Sequence, residues 1–325
     1  MLYNFDQLLM LVNSEIDNIN FDKQPAGLYQ PAQYALSLGG KRVRPILALM
    51  ACNLYSDTPQ QAMQPAIGIE IFHNFTLLHD DVMDKADIRR GKPTVHKVWS
   101  PNTAILSGDA MQIIAYQWVA QCPSAHLAEV INLFSQTALE ICEGQQYDMD
   151  FENRDDVTVD EYLEMIRLKT AVLLACALKT GAIIGGASDK DADLLYEFGE
   201  KIGLAFQLKD DLLDVYGDPA KFGKAIGGDI TCNKKTFMLI KSLELANPQQ
   251  KGQFEAWLNK TDFDREEKVA AITALYNEVG IKALCEEKIN EYYQQSIAAL
   301  NGLNVTSERK AELLSLADKL MYRES

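Results

Sequence analysis

Apolar residues recur along this chain at helical spacing and almost nowhere at strand spacing. Leu8, Leu9, Val12 and Ile16 share one face of a segment over 2–18, the three-and-four rhythm of an amphipathic helix. A helix around 29–38 is expected to stop at Gly39-Gly40, because glycine tolerates the left-handed turn that ends helices. Lys41-Arg42-Val43-Arg44-Pro45 then leads into an apolar helix over 46–55, with Pro45 suited to its first turn. Further helices are expected over 60–84, 102–121, 125–150, 158–180 and 190–215, and again at 234–246, 249–258, 264–279, 281–300 and 306–322. Two polar loops, 85–101 and 217–229, interrupt them. Alternating β-branched runs bounded by tight turns are absent, and nothing recurs at a fixed short period. The pattern predicts one all-α domain over 1–325, a large bundle of long helices.

Composition narrows the class. Of 325 residues, 47% are hydrophobic and 24% charged, an ordinary globular balance. The formal net charge of −15 argues against nucleic acid as a partner, since phosphate backbones are bound by basic surfaces. Small phosphorylated ligands stay open wherever basic residues concentrate. The six cysteines are scattered with no C-x-x-C pair, which reads as free thiols in a reducing compartment. The first residues lack a basic segment followed by an apolar run. No uninterrupted apolar run approaches the ~18 residues of a membrane helix. A cytoplasmic protein without a transmembrane segment is expected.

The helical pattern breaks at two places. The apolar run before Asp80-Asp81-Val82-Met83-Asp84 ends in three carboxylates, and so does the run before Asp210-Asp211-Leu212-Leu213-Asp214. Asp80 and Asp84, like Asp210 and Asp214, are four apart and share a helix face. Like charges at that spacing repel, and the C-terminal end of a helix disfavours anions. A solvated acidic helix end is the plain explanation of one such motif. Two copies point instead to a hard divalent cation such as Mg²⁺, shared between carboxylates and phosphate oxygens. His73, Leu77, Asp80 and Asp84 form one stripe, and Gln207, Asp210, Asp211 and Asp214 another. Both are expected to face a polar cavity, because a core stripe would be apolar. Basic residues cluster near these features: Lys41 and Arg44, Arg89 and Arg90, Lys169 beside Thr170, Lys224 and Lys234. Carboxylates, Mg²⁺ and these cations together describe a diphosphate site.

Four stretches taken in order resemble the motifs of the trans (E-type) isoprenyl diphosphate synthases: Gly39-Gly40-Lys41-Arg42-Val43-Arg44-Pro45, Asp80-Asp81-Val82-Met83-Asp84, Arg89-Arg90-Gly91-Lys92-Pro93-Thr94-Val95-His96 and Phe206-Gln207-Leu208-Lys209-Asp210-Asp211-Leu212-Leu213-Asp214. The resemblance runs from about residue 35 to 236. It implies the isoprenoid synthase bundle around a central cavity, a homodimer, and condensation of isopentenyl diphosphate with an allylic diphosphate primer. It implies Mg²⁺ ions held by Asp80, Asp84, Asp210 and Asp214, with Asp81 and Asp211 in the same motifs. Arg89, Lys169 and Lys224 are then implied contacts of the allylic diphosphate. Lys41, Arg44, His73 and Arg90 are implied for isopentenyl diphosphate, and Gln207 and Thr170 lie near the reacting carbons. His73 stands where other members carry Gln. Cys232 stands before Lys234 where many carry an acid. Phe75, five residues before Asp80, is expected to stop the growing tail, giving farnesyl or geranylgeranyl diphosphate. A class I terpene cyclase would replace the second Asp motif, and a non-catalytic subunit of a heteromeric synthase would lose acidic residues. Neither change is present. A di-iron bundle would need Glu-x-x-His pairs, and none stands at a plausible site.

Overall fold

In the computed structural model the described residues are 2–218 and 226–321, and they are overwhelmingly helical. The first helices are α1 (Phe5–Asp17), α2 (Ala26–Ser37), α3 (Val43–Tyr55), α4 (Met63–Met83), the short α5 (Val95–Val98), α6 (Pro101–Val119) and α7 (Leu127–Phe151). They are followed by α8 (Val159–Ile166), α9 (Val172–Gly185) and α10 (Asp189–Tyr216). Beyond these lie Gly228–Thr231, Phe237–Leu245, Pro248–Leu258, Arg265–Val279, Ile281–Asn301 and Ser307–Met321. The chain gathers into two compact units. One comprises Met1–Gln136, Cys176–Tyr196 and Leu303–Leu313, the other Thr137–Ala175, Glu197–Gly302 and Leu314–Ser325.

In the first unit, α1 starts at a capping box in which Asn4 and Gln7 satisfy each other's backbone donors. It buries Leu8, Val12 and Ile16, the stripe expected from their spacing. Gly39 and Gly40 take φ +78° and +142°, and α3 begins at Val43 with Pro45 in its first turn. Every residue from Pro45 to Leu54 is buried, so α3 is a central rod rather than an amphipathic face. Gly181 and Gly185 of α9 pack on it. A Cβ at Gly181 would lie 1.9 Å from the carbonyl oxygen of Ala48, and one at Gly185 2.7 Å from that of Cys52. α4 packs along α6, with Gly68 pressed against Ala115 and Val119.

The structure corrects the sequence reading in two places. The 85–101 loop contains a two-stranded antiparallel ribbon, Ile88–Arg89 with Lys92–Pro93. Arg90 and Gly91 turn it with φ +52° and +75°, the left-handed pair of a two-residue hairpin. The single helix expected over 158–180 is divided by a π-turn, Arg167–Ala171. The helical stretch Val159–Gly185 is long and apolar enough to cross a membrane by length and composition. However, 78% of its 18-residue apolar window is buried within the protein, as in a core helix.

Candidate active site

The C-terminal end of α4 organises the first unit's site. Ile71, Asn74, Phe75, Leu78 and Asp81 are buried, so Asp81 extends the apolar stripe instead of leaving it. Arg89 grips its carboxylate: Nε lies 2.8 Å from each oxygen and Nη2 2.7 Å from Oδ1. This bidentate fork holds the ribbon against the helix end. Asp80 is half-buried and Asp84 exposed, one turn apart and beside the fixed Asp81. The expected stripe of His73, Leu77, Asp80 and Asp84 is therefore the accessible side of α4.

Beside it lies a cluster of cations. Arg42, in the left-handed conformation with φ +48°, is buried and donates through Nη1 to Glu70 Oε1 at 2.8 Å and through Nη2 to the Leu36 carbonyl at 2.8 Å. Arg44 Nη1 lies 3.2 Å from His73 Nε2. Burial lowers the Arg44 guanidinium to about 10, with Arg90 adding to the effect and Glu70 opposing it. Burial, followed by the charges of Arg44, Arg90, Arg89 and Arg42, pushes His73 well below the ordinary histidine value. His73 is thus a neutral imidazole accepting from Arg44, and Nδ1–H is its remaining donor. Arg90 donates to the Gly39 carbonyl. Its guanidinium lies over Gly40, where a Cβ would come within 2.9 Å, so the glycine pair admits the arginine as well as ending α2. Lys41 is exposed on the same turn. The unit thus gathers four of the expected anion-binding residues, Lys41, Arg44, His73 and Arg90, with Arg42 as an unforeseen buried anchor. Gathering these positive groups in one place favours an anion that completes the site.

Phe75 lies edge-on to Phe72 at 5.3 Å between centroids and to His79 at 4.8 Å. It is 8% exposed. His79 itself fits because α6 has glycine at 108, where a Cβ would meet its Nε2 at 2.3 Å.

In the second unit the site is built on the end of α10. Leu204, Leu208 and Asp211 are buried at i, i+4 and i+7, so Asp211 belongs to the buried face and not to the open stripe expected from sequence. Its carboxylate accepts from the Tyr162 hydroxyl and from Gln207 Nε2 at 3.0 Å. Gln207 Oε1 in turn accepts from Thr170 Oγ1 at 3.3 Å. Burial and the neighbouring charge of Asp229 push Asp211 up to about 7, while Lys234 pulls the other way. Asp210 and Asp214 are half-buried. Asp214 Oδ2 also accepts the Asp229 backbone N–H at 3.0 Å, and its backbone carbonyl accepts that of Gly227 at 2.7 Å. The loop Ile226–Lys234 is thereby tied to the motif. Lys224 lies outside the described residues.

Lys169 and Thr170 occupy the π-turn. Such turns place consecutive side chains where an α-helix cannot, and they recur at functional sites. Gly144 of α7 makes room for it, since a Cβ there would lie 2.4 Å from the Lys169 backbone nitrogen. One turn along α7, Asp148 Oδ2 meets Lys169 Nζ at 2.6 Å. Burial would raise the Asp148 carboxyl, but Lys234 and Lys169 outweigh it and hold it below its ordinary value. Asp148, Tyr162, Glu70 and Asp229 were not singled out from sequence. The Gly144-x-x-x-Asp148 spacing, a glycine inside a long helical pattern, was the available signal for the first.

The carboxylates fit magnesium. Among the described residues no three acidic, histidine or cysteine side chains gather into a metal site of their own. Mg²⁺ asks for less, being bound through one or two carboxylates with water and substrate phosphates completing its shell. Two hard-oxygen donors one turn apart, with the middle carboxylate of each motif already satisfied by protein donors, meet that requirement twice.

A family model described as polyprenyl synthetase matches residues 25–276. The chain is 37% identical over 315 residues to a geranylgeranyl diphosphate synthase of Methanosarcina mazei, covering 96% of this chain and 95% of that one. Its fold is similar to a crystal structure of a geranylgeranyl pyrophosphate synthase, with a TM-score of 0.94, 44% identity and full coverage of both chains. It is also similar to the geranylgeranyl pyrophosphate synthetase of Pyrococcus horikoshii, with a TM-score of 0.91, 34% identity and 98% of each chain covered.

Proposed function

This chain belongs to the polyprenyl synthetase family and is a short-chain prenyltransferase, and we propose that it extends allylic diphosphates with isopentenyl diphosphate as far as geranylgeranyl diphosphate. The observation that carries the reading is the doubled arrangement on α4 and α10: in each motif the second aspartate is locked by protein donors and the outer two stay accessible, one turn apart. Magnesium bound there would neutralise charge developing on the departing diphosphate. The allylic C–O bond breaks with its electron pair leaving on the diphosphate, the isopentenyl double bond attacks the carbon, and the departed diphosphate takes the proton that restores a double bond. In this reading Asp80, Asp84, Asp210 and Asp214 hold the metal, with Asp81 and Asp211 as braces behind them. Arg44, Arg90, Lys41 and neutral His73 bind the isopentenyl diphosphate. Arg89, Lys169 and Lys224 serve the allylic diphosphate. Thr170 and Gln207 offer the hydroxyl and amide oxygens of their chain toward the cationic carbons. The whole of residues 1–325 serves as one catalytic domain.

We place the limit on product length at Phe75; the twenty-carbon length itself is supported by the similarity to geranylgeranyl diphosphate synthases. The test is incubation with Mg²⁺, isopentenyl diphosphate and, separately, dimethylallyl, geranyl and farnesyl diphosphate, with products read by mass spectrometry. Geranylgeranyl diphosphate is expected, and no elongated product from any primer would sink the proposal. Phe75→Ala is expected to lengthen the product by at least one isoprene unit. Deleting a buried Phe side chain costs about 3–5 kcal/mol and leaves space, so the comparison is made on folded, active enzyme. An unchanged distribution would move the floor to α6, around Met111 and Ala115.

We place the homodimer contact on α6, whose outer face leaves Ile105, Leu106 and Ile113 43%, 61% and 61% exposed. Aliphatic side chains grouped along one helix face are the material of an interface core. Sedimentation at micromolar concentration is expected to give a dimer, and Leu106→Glu with Ile113→Glu a monomer. A wild-type monomer would remove this assignment. All six cysteines are free thiols, which supports a reducing, cytoplasmic setting.

A further inference from the structure

Lys268 has no exposed surface, although it sits in the first turns of helix Arg265–Val279, where a lysine could reach water. Its partners are neutral. Nζ donates to Asn233 Oδ1 at 2.7 Å and lies 4.1 Å from the centre of the Phe263 ring. Enclosing an ammonium costs several kcal/mol even after relaxation, and one amide oxygen with one ring face is a modest return. Burial accordingly pulls this ammonium below the ordinary lysine value. A cation kept inside at that cost has a positional use, and its surroundings indicate which.

Asn233 is left-handed, with φ +54°, and its Nδ2 donates to the Leu258 carbonyl at 2.9 Å. The next residue is Lys234, whose backbone N–H bonds the Asp229 carbonyl at 2.9 Å. The Asp229 backbone N–H in turn donates to Asp214 Oδ2 at 3.0 Å. The same first turns of helix Arg265–Val279 hold the other end of this loop. Arg265 Nη2 donates to the Ile226 carbonyl at 2.6 Å. Val269 lies so close under Gly227 that a Cβ there would meet it at 2.5 Å. One helix start therefore fixes both ends of Ile226–Lys234.

We propose that Lys268 is a positioning residue for the prenyl transfer: through Asn233 it sets Lys234 and Asp229 against the second Asp motif and so tunes allylic diphosphate binding. This rests on the function proposed above. It separates Lys268 from ordinary core residues by a kinetic signature. A purely structural lysine, once lost, lowers the melting temperature and leaves the folded enzyme's substrate constants alone.

The test uses the full chain with Lys268→Met, which keeps the stem and removes the charge. Asn233→Gly removes the amide while glycine adopts the left-handed backbone freely. The double variant completes the cycle. For each, kcat and KM are measured for the allylic primer and for isopentenyl diphosphate, beside thermal melting. Lys268→Met is expected to lower kcat/KM for the allylic primer about tenfold, the low end of what losing a supporting partner behind a site costs. The KM for isopentenyl diphosphate should stay unchanged. Asn233→Gly should do the same, and the double variant should be no worse than either single one. Unchanged allylic kcat/KM in folded Lys268→Met overturns the proposal. So do losses that multiply in the double variant, or an equal rise in both KM values. If Lys268→Met does not fold, Asn233→Gly alone decides, and wild-type allylic kinetics there overturn the proposal. A wild type that elongates no primer removes the function itself, which is a different outcome from an active wild type matched by its variants.

Discussion

Asp210→Ala and Asp80→Ala are each expected to lower turnover about a thousandfold, the scale on which losing one preorganised electrostatic partner of a developing charge is felt. Melting temperature and helical circular dichroism should barely move. Each residue is half-buried at a helix end. Removing one of two like charges one turn apart relieves a repulsion of about 0.2–0.5 kcal/mol. Asp81→Ala and Asp211→Ala should behave differently, because they are buried and paired. Loss of Asp81 leaves the Arg89 fork without its acceptor, and loss of Asp211 strands the Tyr162 hydroxyl and the Gln207 amide. Those two variants should lose stability along with activity. Steady-state turnover in saturating Mg²⁺, beside thermal melts, separates the two classes. Near wild-type turnover for Asp80→Ala or Asp210→Ala would refute the metal role of the outer aspartates.

Glu70→Ala is expected to cost about 3–5 kcal/mol of folding stability, the usual penalty for leaving one half of a buried ion pair alone. Arg42 and Glu70 are 5% and 2% exposed, and Asn74 Nδ2 also donates to the Glu70 carboxylate at 3.1 Å. Denaturant titration would read the loss as a lower midpoint. Replacing both partners, Arg42→Met with Glu70→Leu, should recover much of it, since the uncompensated charge is then gone. The kinetic consequence is separate. Arg42 enters α3 in a left-handed conformation, two residues before Arg44, so a loosened Arg42 should raise the KM for isopentenyl diphosphate in whatever fraction folds. A midpoint unchanged in Glu70→Ala would mean that water already reaches Arg42.

The helices and both acidic ends were legible because periodicity and charge repulsion are local. Less was legible about which aspartate of each motif turns inward. In both it is the second, and a longer window explains this: Asn74 and Leu78 lead to Asp81, as Leu204 and Leu208 lead to Asp211. The partners that make those burials tolerable are remote. Tyr162 is 49 residues from Asp211, and Asp148 is 21 from Lys169. Local pattern has no access to such pairs. The same limit hid the π-turn, whose composition is ordinary and which packs directly on Gly144 of another helix. His73 was legible as a phosphate donor but not as a neutral one, since its protonation is set by burial and by four arginines from two segments.

The turn at Arg167–Ala171 also bears on how this chain can change in length. Along a regular helix, losing one residue swings everything downstream by about 100°, which would take Gly181 and Gly185 off α3. A π-turn already holds one surplus residue. Deleting within it lets the helix close to regular winding while both flanking helices keep their faces. A shortened chain could therefore keep its interior and lose only the pairing of Lys169 with Asp148 and of Thr170 with Gln207. The feature works as an expansion joint: it separates the part of the sequence that must stay in step with the core from the two residues offered to the chemistry.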